Sequence, residues 1–117
     1  MNDMNSLILE GQVKEMSASR DILGAVVCNI VMATRRFYRT SSGEPAEETA
    51  EFKVECKGAV AENAARKAYH GRGIRVVGYL RQRLRAAEDG KQSAEVYIFA
   101  EHIEYKPDLR KKQEEEK

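Results

Sequence analysis

Polar and apolar residues trade places at every second position through Ala50–Lys57, "AEFKVECK". Phe52, Val54 and Cys56 take one side, and Glu51, Lys53, Glu55 and Lys57 the other. That period predicts a strand with one buried face. "IRVVGYLRQRL", Ile74–Leu84, repeats the pattern, with Ile74, Val76, Leu80 and Leu84 set against Arg75, Val77, Tyr79, Arg81 and Arg83. Ser6–Val13, "SLILEGQV", is a short apolar run that reads as a first strand. Ala25–Thr34, "AVVCNIVMAT", is too short and too β-branched for a helix and reads as a buried strand. Ala94–Tyr105, "AEVYIFAEHIEY", predicts a last strand with a bulge or bend near Phe99–Glu101.

One stretch breaks the period of two. In "VAENAARKAY", Val60, Ala64 and Ala68 recur every four residues, which predicts a helix ended by Gly71 and Gly73. "MSASRDILG" reads as a loop, "TSSGEPAEE" from Thr40 to Glu48 as a long hairpin loop, and "AAEDGKQ" as a turn on Asp89-Gly90. The predicted order is three strands, one helix, two strands. Five strands with a helix between the third and fourth match the Greek-key barrel called the OB-fold, so the fold class is all-β with one inserted helix. The domain is expected over residues 1–106, with 107–117 a charged, disordered tail.

A length of 117 residues fits one domain and needs no disulfide or metal staple. No apolar run approaches the ~20 residues that span a bilayer, and "MNDMNS" has no secretory pattern, so a cytoplasmic protein is expected. Cys28 and Cys56 sit in strand-like runs without metal-ligand spacing and read as buried, reduced thiols. The net charge of +1 hides an asymmetry. Residues 66–91 carry eight Lys or Arg against Glu88 and Asp89, while residues 92–117 carry seven acids against five bases. A local positive field of that kind suits a polyanion.

"ATRRFYRTSSGE", Ala33–Glu44, sharpens the point. A buried-looking strand runs straight into Arg35, Arg36, Phe37, Tyr38 and Arg39. Catalysis is not expected. Cys28, Cys56, His70 and His102 form no recognisable Cys-His motif, and Glu44, Glu47 and Glu48 read as solvated loop acids.

Five stretches, in order, resemble bacterial single-stranded DNA-binding proteins: "MNSLILEGQV", "GAVVCNIVMATRRF", "GAVAENAARKAYHGRG", "IRVVGYLRQR" and "DGKQSAEVYIFAEHIEY", together covering roughly residues 4–106. The resemblance implies sequence-independent single-strand DNA binding in replication, repair and recombination. It also implies a homotetramer associated with the nucleoid, with no cofactor and no metal. Phe37 and Tyr38 lie where that family puts a stacking aromatic, and either can be the one that stacks. Phosphate contacts are expected from Arg35, Arg36, Arg39, Lys53, Lys57, Arg81, Arg83 and Arg85, with Tyr79 available for either role.

The departures are as informative. Positions that commonly carry aromatics in the family hold Glu51, Lys57 and Arg85 here, and the chain has no Trp. A more electrostatic, salt-sensitive grip is expected. "KPDLRKKQEEEK" has the acids of a partner-recruiting tail without its apolar tip. The alternative reading is therefore a primosome-type adapter on the same fold, which binds strands weakly and docks mainly to replication or repair proteins. An RNA-binding OB module stands further off.

Overall fold

The computed structural model describes residues 1–108; the expected tail falls, from residue 109 on, outside the described residues. The chain orders as β1 (Leu7–Arg20), β2 (Val26–Arg39), β3 (Pro45–Lys57), α1 (Ala59–Lys67), β4 (Gly73–Ala86) and β5 (Gln92–Tyr105). These strands close into a barrel in the order β1-β2-β3-β5-β4. The expected five-stranded architecture, with its helix between the third and fourth strands, is the observed one.

The core is the apolar side of each alternating strand, as burial of one face requires. Val13, Ile30, Met32, Val54, Ile74, Val76 and Ile98 are all buried, and Ala61 and Ala64 of α1 plug the barrel end. Cys28 and Cys56 are direct cross-strand partners, both buried and both free thiols. The Cys28 thiol donates to the Ala61 carbonyl at 3.2 Å. Burial pushes the Cys28 thiol up from the usual range and the Cys56 thiol to about 12.

Two close approaches demand glycine. A Cβ on Gly11 would stand 2.2 Å from the Ala33 carbonyl oxygen, and one on Gly78 would stand 2.0 Å from that of Phe99. Beside Gly78 the register slips: Val77 faces His102 and Gly78 faces Ala100, leaving Glu101 as the extra residue on β5. This is the bulge that the sequence placed near Phe99–Glu101.

The loops differ from expectation. "MSASR" is strand: β1 runs on to Arg20, pairing with β4 over Leu7–Gln12 and with β2 from Gln12 to Arg20, with a register shift in the β2 pairing between Val13 and Glu15. Thr40–Glu48 is no long loop either, because Pro45 already pairs with Arg39. The three hairpins end in the same short turn. Asp21, Thr40 and Ala87 each donate to the carbonyl four residues on, and Gly24, Gly43 and Gly90 each donate back. Those glycines have φ of 86°, 87° and 79°, the left-handed corner of a three-residue hairpin loop. Finally, α1 ends at Lys67, one residue before an extended Ala68 and ahead of either expected glycine.

Candidate nucleic-acid interface

β3 and β5 pair in parallel at Val54–Ile98 and Glu55–Phe99. Beyond those residues the β2–β3 and β4–β5 hairpins each continue as a long two-stranded ribbon. The outward side chains of the strands meet in a recess of about 430 Å³, which reaches from Glu15 and Asn29 across Lys53 and Glu55 to Arg83, Glu95 and Tyr97.

Register sorts the predicted residues by face. On β2, unbroken pairing with β3 sends Arg35, Phe37 and Arg39 to the outward face of Asn29 and Val31, and Arg36 and Tyr38 to the core-side face of Ile30 and Met32. Each aromatic has its own cation: the Arg35 guanidinium lies 5.7 Å from the Phe37 ring centre and that of Arg36 lies 4.6 Å from Tyr38. Phe37 is the more open, at 68% exposed against 39% for Tyr38. Lys53 and Lys57 alternate onto the outward face with Glu55, and cross-strand partners bring Tyr79 opposite Phe99, Arg81 opposite Tyr97 and Arg83 opposite Glu95.

Two aromatics of this face were absent from the sequence reading. Tyr97 and Phe99 stand outward on β5, with the Phe99 ring 5.6 Å from that of Tyr79. The strict alternation Glu95, Tyr97, Phe99 against Val96, Ile98, Ala100 carries that signal. Both rings are covered by cations. The guanidinium of Arg83 is 4.6 Å from the Tyr97 centre and that of Arg81 is 5.1 Å from Phe99.

The charges also pair internally. Arg83 Nη2 donates to Glu55 Oε2 at 2.7 Å, Lys53 Nζ to Glu95 Oε1 at 2.9 Å, and Arg85 Nη2 lies 2.7 Å from Glu95 Oε2. The bond from Lys53 holds the Glu95 carboxyl below its usual range, against the cost of its partial burial. Arg36 sits 3.6 Å from Glu48, and Arg39 donates to the Gly43 carbonyl of its own turn. Among the described residues, Arg35, Lys57 and Arg81 have no carboxylate within ion-pair distance. The cations expected to meet phosphates thus lie in a mixed layer of cations, carboxylates and rings.

Phe52, expected on the buried side with Val54 and Cys56, does alternate there but is 38% exposed, because the ribbon has left the barrel by that point. Leu80, Leu84 and Val96 stay open for the same reason. Of the groups weighed for catalysis, His70 Nδ1 contacts the Lys14 carbonyl at 2.9 Å and His102 is a surface residue 3.6 Å from Glu104.

Residues 4–106 match the model of the single-strand binding protein family. The chain belongs to that family. Its fold is similar to that of Plasmodium falciparum SSB solved in complex with ssDNA, at 18% identity and a TM-score of 0.82, over 92% of this chain and 98% of that one. It is also similar to the wild-type single-stranded DNA binding protein of Thermus aquaticus, at 23% identity and a TM-score of 0.75. A deletion mutant of that protein gives 24% and 0.77. The match covers 89% of this chain and about half of the Thermus chains (50% and 51%). No curated protein sequence matches the chain.

Proposed function

We propose that this protein binds single-stranded DNA along the outward face of β2, β3, β4 and β5, without sequence preference, and covers exposed strands during replication, repair and recombination. The observation that carries this reading is the joining on one face of Phe37, Tyr79, Tyr97 and Phe99 with Arg35, Lys53, Arg81, Arg83 and Arg85. Rings at successive positions accept bases and the cations between them accept phosphates. Arg39 and Lys57 extend the cationic path at its two ends, while Arg36 and Tyr38, on the reverse of the β2–β3 ribbon, serve a strand that wraps around its edge. The protein acts by stoichiometric coverage rather than catalysis. A homotetramer in the cytoplasm, at the nucleoid, fits its family.

The test is fluorescence anisotropy with labelled oligo-dT of about 35 nucleotides, enough for several OB-folds, against a duplex of equal length over a salt series. Tight single-strand preference is the expected result; equal affinity for duplex would overturn it. A second reading, an adapter with weak strand binding and mainly protein partners, is favoured by one observation: Lys53, Arg83 and Arg85 are already engaged by Glu55 and Glu95. Binding of oligo-dT that vanishes above moderate salt would favour it.

A further inference from the structure

The acids of the groove have no part in holding a strand, yet they are built into it. The side chains of Glu55 and Glu95 are only 12% and 19% exposed, while their partners Arg83, Arg85 and Lys53 are 44%, 59% and 66% exposed. The acids thus form the floor and the cations reach up from it. Arg83 is held twice, by the carboxylate of Glu55 and by the ring of Tyr97. Glu95 bridges Lys53 of β3 to Arg85 of β4, and so ties the two hairpins together across the groove. Each carboxylate occupies the place on its cations that a strand phosphate would take.

We infer that Glu55 and Glu95 are specificity-determining residues: as internal stand-ins for phosphate, they make binding depend on bases as well as on charge. This rests on the single-strand reading above. A polyanion without bases gains little here, because each cation that it captures must leave a carboxylate behind, unpaired and close to the incoming phosphate. A nucleic acid strand gains more. Its phosphate draws Arg83 off Tyr97, and the ring so uncovered receives a base, an interaction that no bare polyanion offers. The paired acids therefore discriminate against binding by charge alone, at some cost in affinity for the strand itself.

The experiment compares wild type, Glu55→Gln and Glu95→Gln for binding to oligo-dT and to inorganic polyphosphate of similar charge. Glutamine keeps the size and an acceptor oxygen, and thermal unfolding checks each variant; having two variants at separate sites covers the failure of either to fold. Each substitution is expected to strengthen polyphosphate binding by about tenfold and oligo-dT binding by less, so that selectivity falls, and to steepen the log–log salt slope for oligo-dT by about 0.7 for each cation released. Unchanged selectivity, or equal weakening of both ligands, would overturn the inference while leaving single-strand binding intact. Failure of wild type to bind oligo-dT at all would remove both.

Discussion

The guanidinium of Arg83 stands 4.6 Å from the centre of the Tyr97 ring, and the tyrosine beneath it is 8% exposed. A ring on the outward face of the groove is thus buried beneath an arginine that Glu55 also holds. Its neighbours Phe99 and Arg81 repeat the arrangement. On the proposed reading, a base that stacks on either ring must first displace its arginine.

Phe37 and Tyr38 are adjacent in sequence but opposite in face, so they are expected to separate by mutation. Phe37→Ala should weaken oligo-dT binding by ~1–3 kcal/mol, the worth of one stacked base. Tyr38→Ala should weaken it less. Anisotropy titrations of both variants, with unfolding curves to show that neither exposed site disturbs the fold, provide the check. A larger loss at Tyr38 would place the strand on the other side of the β2–β3 ribbon.

Gly78→Ala tests the barrel closure. With the Phe99 carbonyl oxygen 2.0 Å from the new Cβ, either β5 must move or the bulge at Glu101 must shift. A loss of about 1–3 kcal/mol is expected, of the size found when extra methylenes are forced into packed sites. Urea unfolding measures it directly.

Alkaline pH should destabilise the protein in two steps. The Cys56 thiol, ordinarily near 9, is raised by burial to about 12, and the Tyr105 phenol, ordinarily near 10, is raised by burial to about 12. In each case the folded value lies above the unfolded one, so the folded chain holds its proton longer. Stability is full below the unfolded value and is lost as pH rises toward the folded one. Because the Cys28 thiol is raised by burial as well, the decline should begin near pH 9 both in wild type and in Cys56→Ala, where it is shallower. It should begin near pH 10 only when both thiols are removed in the Cys28→Ala/Cys56→Ala double variant, as followed by denaturant midpoints across the range.

Arg72 is expected to matter for stability and not for binding. Its Nε donates to the Lys106 carbonyl at 2.9 Å, its Nη1 lies 3.5 Å from Asp108, and its guanidinium lies 5.5 Å from the Tyr69 ring and 5.6 Å from that of Tyr105. This cluster fastens the chain after β5, at the end away from the hairpin ribbons. Arg72→Ala leaves a carbonyl and a carboxylate without that donor and should cost about 1–3 kcal/mol. The affinity for oligo-dT should stay within error.

The barrel was legible because its signals are local: period two at "AEFKVECK" and "IRVVGYLRQR", period four at "VAENAARKAY", and Gly90 in a turn. Strand lengths were not. Nothing in "MSASR" alternates clearly, and it is strand because β2 lies beside it. The site was legible as a list of cations and unreadable as a surface. Which of Arg35 and Arg36 shares a face with Lys53 depends on register, and the pairing of Arg83 with Glu55 joins residues 28 positions apart. Composition counts such an arginine as a free charge, whereas the fold spends it on a neighbour.

The three hairpin turns share one internally bonded design, with open space around each glycine. Because the turn closes on itself, the ribbon beneath it can gain or lose residues in steps of two in each strand, keeping every side chain on its own face. Ribbon length is then an adjustable dimension of this scaffold, tunable by insertion without redesigning the barrel that carries it.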